Sequence, residues 1–143
     1  MPVRTAQAVW EGDLAKGKGT VALGSGSYQG PYSFASRFES GKGTNPEELI
    51  GAAHAGCFSM ALSAMLGKAG YAPKKIQTDA KVHIEKVGEG FKITRIELHL
   101  QADIPGIENK TFLEHADAAK KGCPVSHALA GPQIVLYAKL LNS

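Results

Sequence analysis

Cysteine is almost missing from this chain, with two among 143 residues. That count excludes a disulfide-stapled secreted scaffold and leaves the pair for redox chemistry, metal binding or core filling. No dense basic block occurs, although the net charge is +3, because Lys and Arg are scattered among acids. Nucleic acid is therefore not an expected partner. The first residues lack the apolar run of a secretory signal, and no run of about 18 apolar residues suggests a bilayer span. A soluble, cytoplasmic protein with no membrane partner is expected. Repeats, low-complexity tracts and linkers are also missing, so residues 1–143, at 43% hydrophobic composition, are read as a single domain with one core.

What is present reads as βββ-α-ββ-α-β, an α+β fold. Short apolar runs at 8–10, 19–23 and 32–38, separated by glycine-rich turns, predict a three-stranded meander. Asn45-Pro46-Glu47-Glu48 combines a capping residue, a first-turn proline and first-turn carboxylates, so a helix starts there and runs to about Lys68, before Gly70. It has almost no polar face and must be buried on most sides. One sheet in a chain of this length cannot cover it, which predicts an obligate dimer. Residues 76–85 alternate as a half-buried strand, and Gly88-Glu89-Gly90 turns the chain into a hairpin partner over 91–104. A change of parity in that partner predicts a bulge near Thr94 and Arg95. The spacing of Thr111 and Glu114 suggests a capping box opening a helix to Lys121. Cys123-Pro124 restarts a short helix to Leu129, and the apolar run over 133–141 reads as a buried strand.

Cys57 lies mid-helix in His54-Ala55-Gly56-Cys57-Phe58, with small neighbours that leave room for a pocket. Taken alone, a cysteine in such surroundings is more often an inert core residue. Cys123 stands directly before Pro124, at a helix start where unpaired amides lower a thiol's pKa. Together the two suit the roles of peroxidatic and resolving thiol if the fold brings them face to face. A thiol that attacks a peroxide must be ionised, which calls for a nearby cation. Arg37, at the end of an apolar strand just upstream of the cysteine helix, is the best candidate; the bland alternative is an edge arginine in solvent. An arginine beside a thiol needs a counter-ion, which Glu47 or Glu48 can supply. A metal reading competes: His54-x-x-Cys57 and Cys123-x-x-x-His127 each place two ligand types one helical turn apart, though no Cys-x-x-Cys knuckle appears. No serine has a hydrolase motif, Gly24-Ser25-Gly26 is a turn rather than a phosphate loop, and His83, His99 and His115 read as solvent-facing.

The stretches Gly43-Thr-Asn-Pro-Glu-Glu-Leu-Ile-Gly-Ala-Ala-His-Ala-Gly-Cys57-Phe-Ser-Met-Ala-Leu and Lys121-Gly-Cys-Pro-Val-Ser126 closely resemble the osmotically induced protein C (OsmC) family. Tyr32-x-Phe34-x-x-Arg37-Phe38-Glu39 and Trp10-Glu11-Gly12 extend the resemblance over essentially the whole chain. Placing the arginine in the third strand, rather than in an early glycine-rich turn, is more similar to the OsmC branch than to its organic hydroperoxide resistance sister. The resemblance implies antiparallel sheets wrapped around a long buried central helix in an intertwined homodimer. It further implies a thiol peroxidase acting on organic hydroperoxides in oxidative and osmotic stress defence. Cys57 would attack the peroxide, Cys123 would resolve the sulfenic acid as a disulfide, Arg37 would stabilise the thiolate, and Glu47 would orient Arg37. Phe34, Phe38, Phe58 and Met60 are expected to line an apolar site. The implied reductant is a dithiol such as a lipoylated protein, with no cofactor and no metal. The rival expectation is a stress protein that binds metal or apolar ligands without catalysis.

Overall fold

Trp10 and Tyr32 stack obliquely across the first sheet, ring centroids 5.3 Å apart, over a strand position that has no side chain. That position is Gly19, paired with Trp10 on one side and Tyr32 on the other. A Cβ there would lie 2.4 Å from the Tyr32 ring and 2.6 Å from Trp10, so only glycine fits. The protein is described here from a computed structural model covering residues 2–142. It divides into two compact units, meeting in sequence at Leu49 and Ile50.

The first unit holds an antiparallel meander, β1 (Ala6–Glu11), β2 (Lys18–Leu23) and β3 (Gln29–Tyr32), in the order β1-β2-β3. The third strand is shorter than its apolar run predicts. Residues Phe34–Phe38 form a short helix, α1, so Arg37 sits on a helix and not at a strand end. The reason is a capping box built from two serines. Ser36 N–H donates to Ser33 Oγ at 3.1 Å and Ser33 N–H donates to Ser36 Oγ at 2.8 Å. This reciprocal pair turns the chain out of the sheet before hydrophobic alternation can extend it.

Helix α2 (Pro46–Lys68) carries the chain from the first unit into the second. Asn45 Oδ1 accepts the Glu48 N–H at 2.7 Å, the cap expected from sequence. At the other end Gly70 takes φ +91°, and Tyr71 N–H reaches back to the Leu66 carbonyl at 2.9 Å. The helix is apolar all round but not buried all round. Gly51, His54, Phe58, Leu62 and Leu66 are buried, whereas Ala52, Ala53, Gly56, Met60 and Ala64 are exposed. By length and composition α2 could cross a membrane, which corrects the expectation that no such stretch exists. A core helix passes the same test, and the buried stripe of α2 belongs to a core.

The second unit contains the strands β4 (Lys75–Val87), β5 (Gly90–Asp103) and β6 (Gln133–Leu140), in the order β4-β5-β6. In the β4–β5 hairpin His83 faces Arg95 and Ile84 faces Ile93, which leaves Thr94 as the extra residue of the expected bulge. Past the bulge, Ile96, Leu98, Leu100 and Ala102 all point inward. They pack with Phe58, Leu62 and Leu66 of α2 and with Phe112, Ala116 and Ala119 of α3 (Asn109–Gly122).

Strand β6 runs parallel to β5, so this sheet is mixed and not antiparallel as expected. Parallel neighbours need a long crossover, and α3 with the short α4 (Pro124–Ala128) provides it. Helix α3 also begins before the predicted capping box. Phe112 N–H already bonds the Glu108 carbonyl at 3.0 Å, and Glu108 caps without a side-chain bond. Burial of Phe112 thus decides the start, and Thr111 falls inside the first turn. His83 and His99 are half-buried rather than solvent-facing, both bonded to Glu97, whose carboxylate is held below its usual range by those two bonds.

Candidate active site

In the first unit, the capping box that creates α1 also aims Arg37. Its Nε and Nη2 donate to Oε1 and Oε2 of Glu47 at 3.0 and 3.1 Å, a two-pronged bond between the last turn of α1 and the first turn of α2. Glu47 is buried, 6% exposed, so its charge depends on this partner and on the helix N-terminus. The guanidinium also stands 5.1 Å from the Phe38 ring centroid, held on that side by cation–π attraction. Glu48, the other candidate partner, bonds Thr44 Oγ1 at 2.7 Å instead.

Beside Arg37 opens a cavity of about 240 Å³, lined by Trp10, Leu14, Tyr32, Phe34 and Phe38 among others. Two of the four expected lining residues are there. The other two are not: Phe58 is fully enclosed in the second unit's core, and Met60 is 76% exposed. The heptad-like run of apolar residues on α2 cannot tell inward from outward when every face is apolar.

In the second unit, Cys57 on α2 and Cys123 at the α3–α4 junction come together. Each side chain is close enough to shift the pKa of the other, and the Val125 N–H lowers both. Both thiols are free. Cys123 is wholly buried and Cys57 half-buried. Cys123 is the N-cap of α4: its Sγ accepts the Ser126 N–H at 3.3 Å, and Pro124 occupies the first helical position. The Gly-Cys-Pro sequence dictates this, because proline ends α3 and starts α4 with an extended residue between them.

Burial pushes both thiols up. For Cys123 this is outweighed by its bonding with the Ser126 side chain and backbone and by Cys57, and its pKa ends below the usual value. For Cys57 burial prevails: the Val125 N–H pulls it down, but contact with Cys123 adds to the rise. Two thiols this close titrate as a pair, the second proton leaving more reluctantly than the first. Burial holds Cys57 towards its thiol form, so a nearby cation would favour its anion.

One pair of polar residues escaped the sequence reading. His54, fully buried on α2, bonds through Nε2 to Ser126 Oγ at 2.8 Å, and Cys123 Sγ donates to the same Ser126 Oγ at 3.4 Å. The signal available was a polar residue on the face of α2 that otherwise reads Gly51, Phe58 and Leu62. The sequence suggested for His54 only a competing metal pair with Cys57. Here its Nε2 is committed to Ser126, His127 is exposed, and among the described residues no three His, Cys, Asp or Glu side chains are grouped for a metal ion.

Comparison with known proteins places the chain in a family. Residues 39–137 match the family model for OsmC-like protein. Over 127 residues the chain is 57% identical to peroxiredoxin OsmC of Escherichia coli K12, covering 88% of this chain and 89% of that one. It is 33% identical over 92 residues to an organic hydroperoxide resistance protein of Xanthomonas axonopodis pv. citri, covering 64% and 63% of the two chains. The crystal structure of the organic hydroperoxide resistance protein OhrB of Bacillus subtilis superposes with a TM-score of 0.67 at 25% identity, over 95% of this chain and 97% of that one. With a match spanning both cysteines and the Arg37 partner Glu47, the chain belongs to the OsmC-like protein family.

Proposed function

We propose that this chain reduces organic hydroperoxides to alcohols, with Cys57 as nucleophile, Cys123 as resolving thiol, and Arg37, oriented by Glu47, as the cation that makes Cys57 anionic. Its family makes it a peroxidase. The observation carrying the cysteine mechanism is the contact between the Cys57 and Cys123 side chains, which come from distant parts of the sequence.

The Cys57 thiolate attacks the distal peroxide oxygen and the O–O bond breaks. The alkoxide leaves as alcohol after taking a proton, and Cys57 becomes a sulfenic acid. Cys123 sulfur then displaces hydroxide from the Cys57 sulfur, forming the disulfide and releasing water. A dithiol, with a lipoylated protein as the proposed donor, restores both thiols by exchange. The mainly apolar cavity beside Arg37 favours an alkyl hydroperoxide over hydrogen peroxide.

The exposed apolar side of α2 supports a homodimer in which a second copy covers that side. Function in the cytoplasm follows from the same reading, since a reducing compartment keeps both thiols ready.

The test is a thiol count on the reduced protein before and after one equivalent of cumene hydroperoxide, followed by mass spectrometry. Loss of both thiols with a bond between 57 and 123 is expected, and none of it in Cys57→Ser. Unchanged thiols, or equal peroxide consumption by Cys57→Ser and the parent, would turn the assignment towards a non-catalytic ligand-binding protein.

A further inference from the structure

His54 is wholly enclosed, yet its Nδ1 has no hydrogen-bond partner among the described residues. A buried imidazole with one ring nitrogen unsatisfied is costly where the neighbouring core positions are apolar. Its other nitrogen is fully engaged. Nε2 lies 2.8 Å from Ser126 Oγ, and Ser126 Oγ lies 3.4 Å from Cys123 Sγ. All three side chains are buried, at 0%, 5% and 0% exposure. A cost retained in a closed line of three polar groups that ends on a reactive sulfur calls for a chemical reason.

The hydrogen count sets the direction of the line. Cys123 S–H donates to Ser126 Oγ. Ser126 has a single hydroxyl hydrogen, so that hydrogen is the one bridging to His54 Nε2, which accepts. The ring proton then rests on the unpartnered Nδ1. If the Cys123 proton moves to Oγ as the hydroxyl proton moves to Nε2, the line reverses. Ser126 then donates to a Cys123 thiolate and the imidazolium donates to Ser126. Every bond survives and no side chain moves.

We propose that His54, acting through Ser126, is a positioning residue for the resolving half-reaction: it draws the Cys123 proton along the Ser126 hydroxyl as the Cys123 sulfur attacks the Cys57 sulfenic acid. This rests on the peroxidase reading above. In the step the S–S bond forms and the S–O bond of the sulfenic acid breaks. Cys123 is oxidised, the Cys57 sulfur is reduced, and the hydroxide, leaving from the side of the half-buried Cys57 sulfur opposite Cys123, takes a proton from solvent and departs as water, while the proton held on His54 is given back to solvent afterwards. No further oxidant or reductant is required. Burial keeps His54 neutral by pushing its pKa down, so it is free to accept. The titratable groups facing it are Cys123, by way of Ser126, and Cys57 one turn further along α2; His127 on α4 is exposed.

The test separates the two half-reactions. Reduced parent, His54→Gln and Ser126→Ala are mixed with one equivalent of cumene hydroperoxide and quenched over time. Sulfenic acid is trapped with dimedone and disulfide is read by mass. Glutamine can still bond Ser126 but cannot take a proton at neutral pH. In both variants peroxide is expected to disappear at the parent rate while the disulfide forms slower by about tenfold or more at neutral pH. That deficit should close in alkali, where hydroxide ionises Cys123 without the relay, and the double variant should be no slower than the slower single. Should His54→Gln fail to fold, Ser126→Ala reads the same step. Disulfide formation at the parent rate in a folded variant overturns the proposal, as does an equal slowing of both half-reactions at every pH, the mark of a structural role. A parent protein that leaves the peroxide untouched overturns the peroxidase reading and this one with it, and that failure is visible before any variant is compared.

Discussion

Arg37 meets Glu47 through two parallel bonds, Nε to Oε1 and Nη2 to Oε2, at 3.0 and 3.1 Å. A two-pronged contact fixes the plane of the guanidinium as well as its place, which a lysine cannot reproduce. If Arg37 is the cation proposed for Cys57, Arg37→Met is expected to slow alkylation of Cys57 by iodoacetamide at neutral pH by on the order of tenfold, because a cation beside a thiol favours the thiolate. The same change leaves the Glu47 carboxylate buried without its partner, at a cost of on the order of 1–3 kcal/mol in unfolding free energy. Arg37→Lys should fall between, keeping the charge and losing the fork. An alkylation profile over pH identical to the parent's in Arg37→Met would show that another group ionises Cys57.

How much of this site could be read from residues alone follows from the kind of signal each part leaves. The α2 start was legible because Asn45, Pro46 and Glu47 each act locally, on backbone groups within one turn. The bulge was legible too, because Thr94 shifts the inward parity of β5. Arg37 was named for its charge but placed on the wrong element: two serines in a capping box look like any polar pair in an apolar run. The direction of β6 had no local trace, since pairing direction is set by the crossover path and not by the strand's own residues. His54 and Ser126 are 72 positions apart, and only the packing of α2 with the α3–α4 junction brings them together. Long-range polar contacts of that kind leave no spacing to find.

Cys123→Ser separates chemistry from turnover. The Cys57 sulfur remains, so one equivalent of alcohol per chain should still form when hydroperoxide is added. The resulting sulfenic acid then has no thiol in contact to condense with. Excess hydroperoxide should carry it to the sulfinic acid, seen as a gain of two oxygen atoms on the Cys57 peptide, where the parent shows only the loss of two hydrogens. A Cys123→Ser protein that cycles with a dithiol as fast as the parent, without over-oxidation, would remove Cys123 from the mechanism.

The exposed side of α2 sets the last expectation. Ala53, Gly56, Met60 and Ala64 recur at three- and four-residue intervals, so they form one strip along the helix, and Met60 at its middle is 76% exposed. Small residues beside a flexible methionine let another surface come close, and an open apolar strip on a helix this hydrophobic invites association. If a second copy of the chain covers that strip, burying a lysine ammonium there without a partner is prohibitive. Light scattering on the parent should then give twice the 15.0 kDa chain mass, and Met60→Lys should shift the population towards the single-chain mass at micromolar concentration. The lysine variant should keep its helical circular dichroism, because Met60 contributes nothing to the buried stripe of its own chain. A parent that elutes and scatters as a single chain would leave the strip without a partner of its own kind.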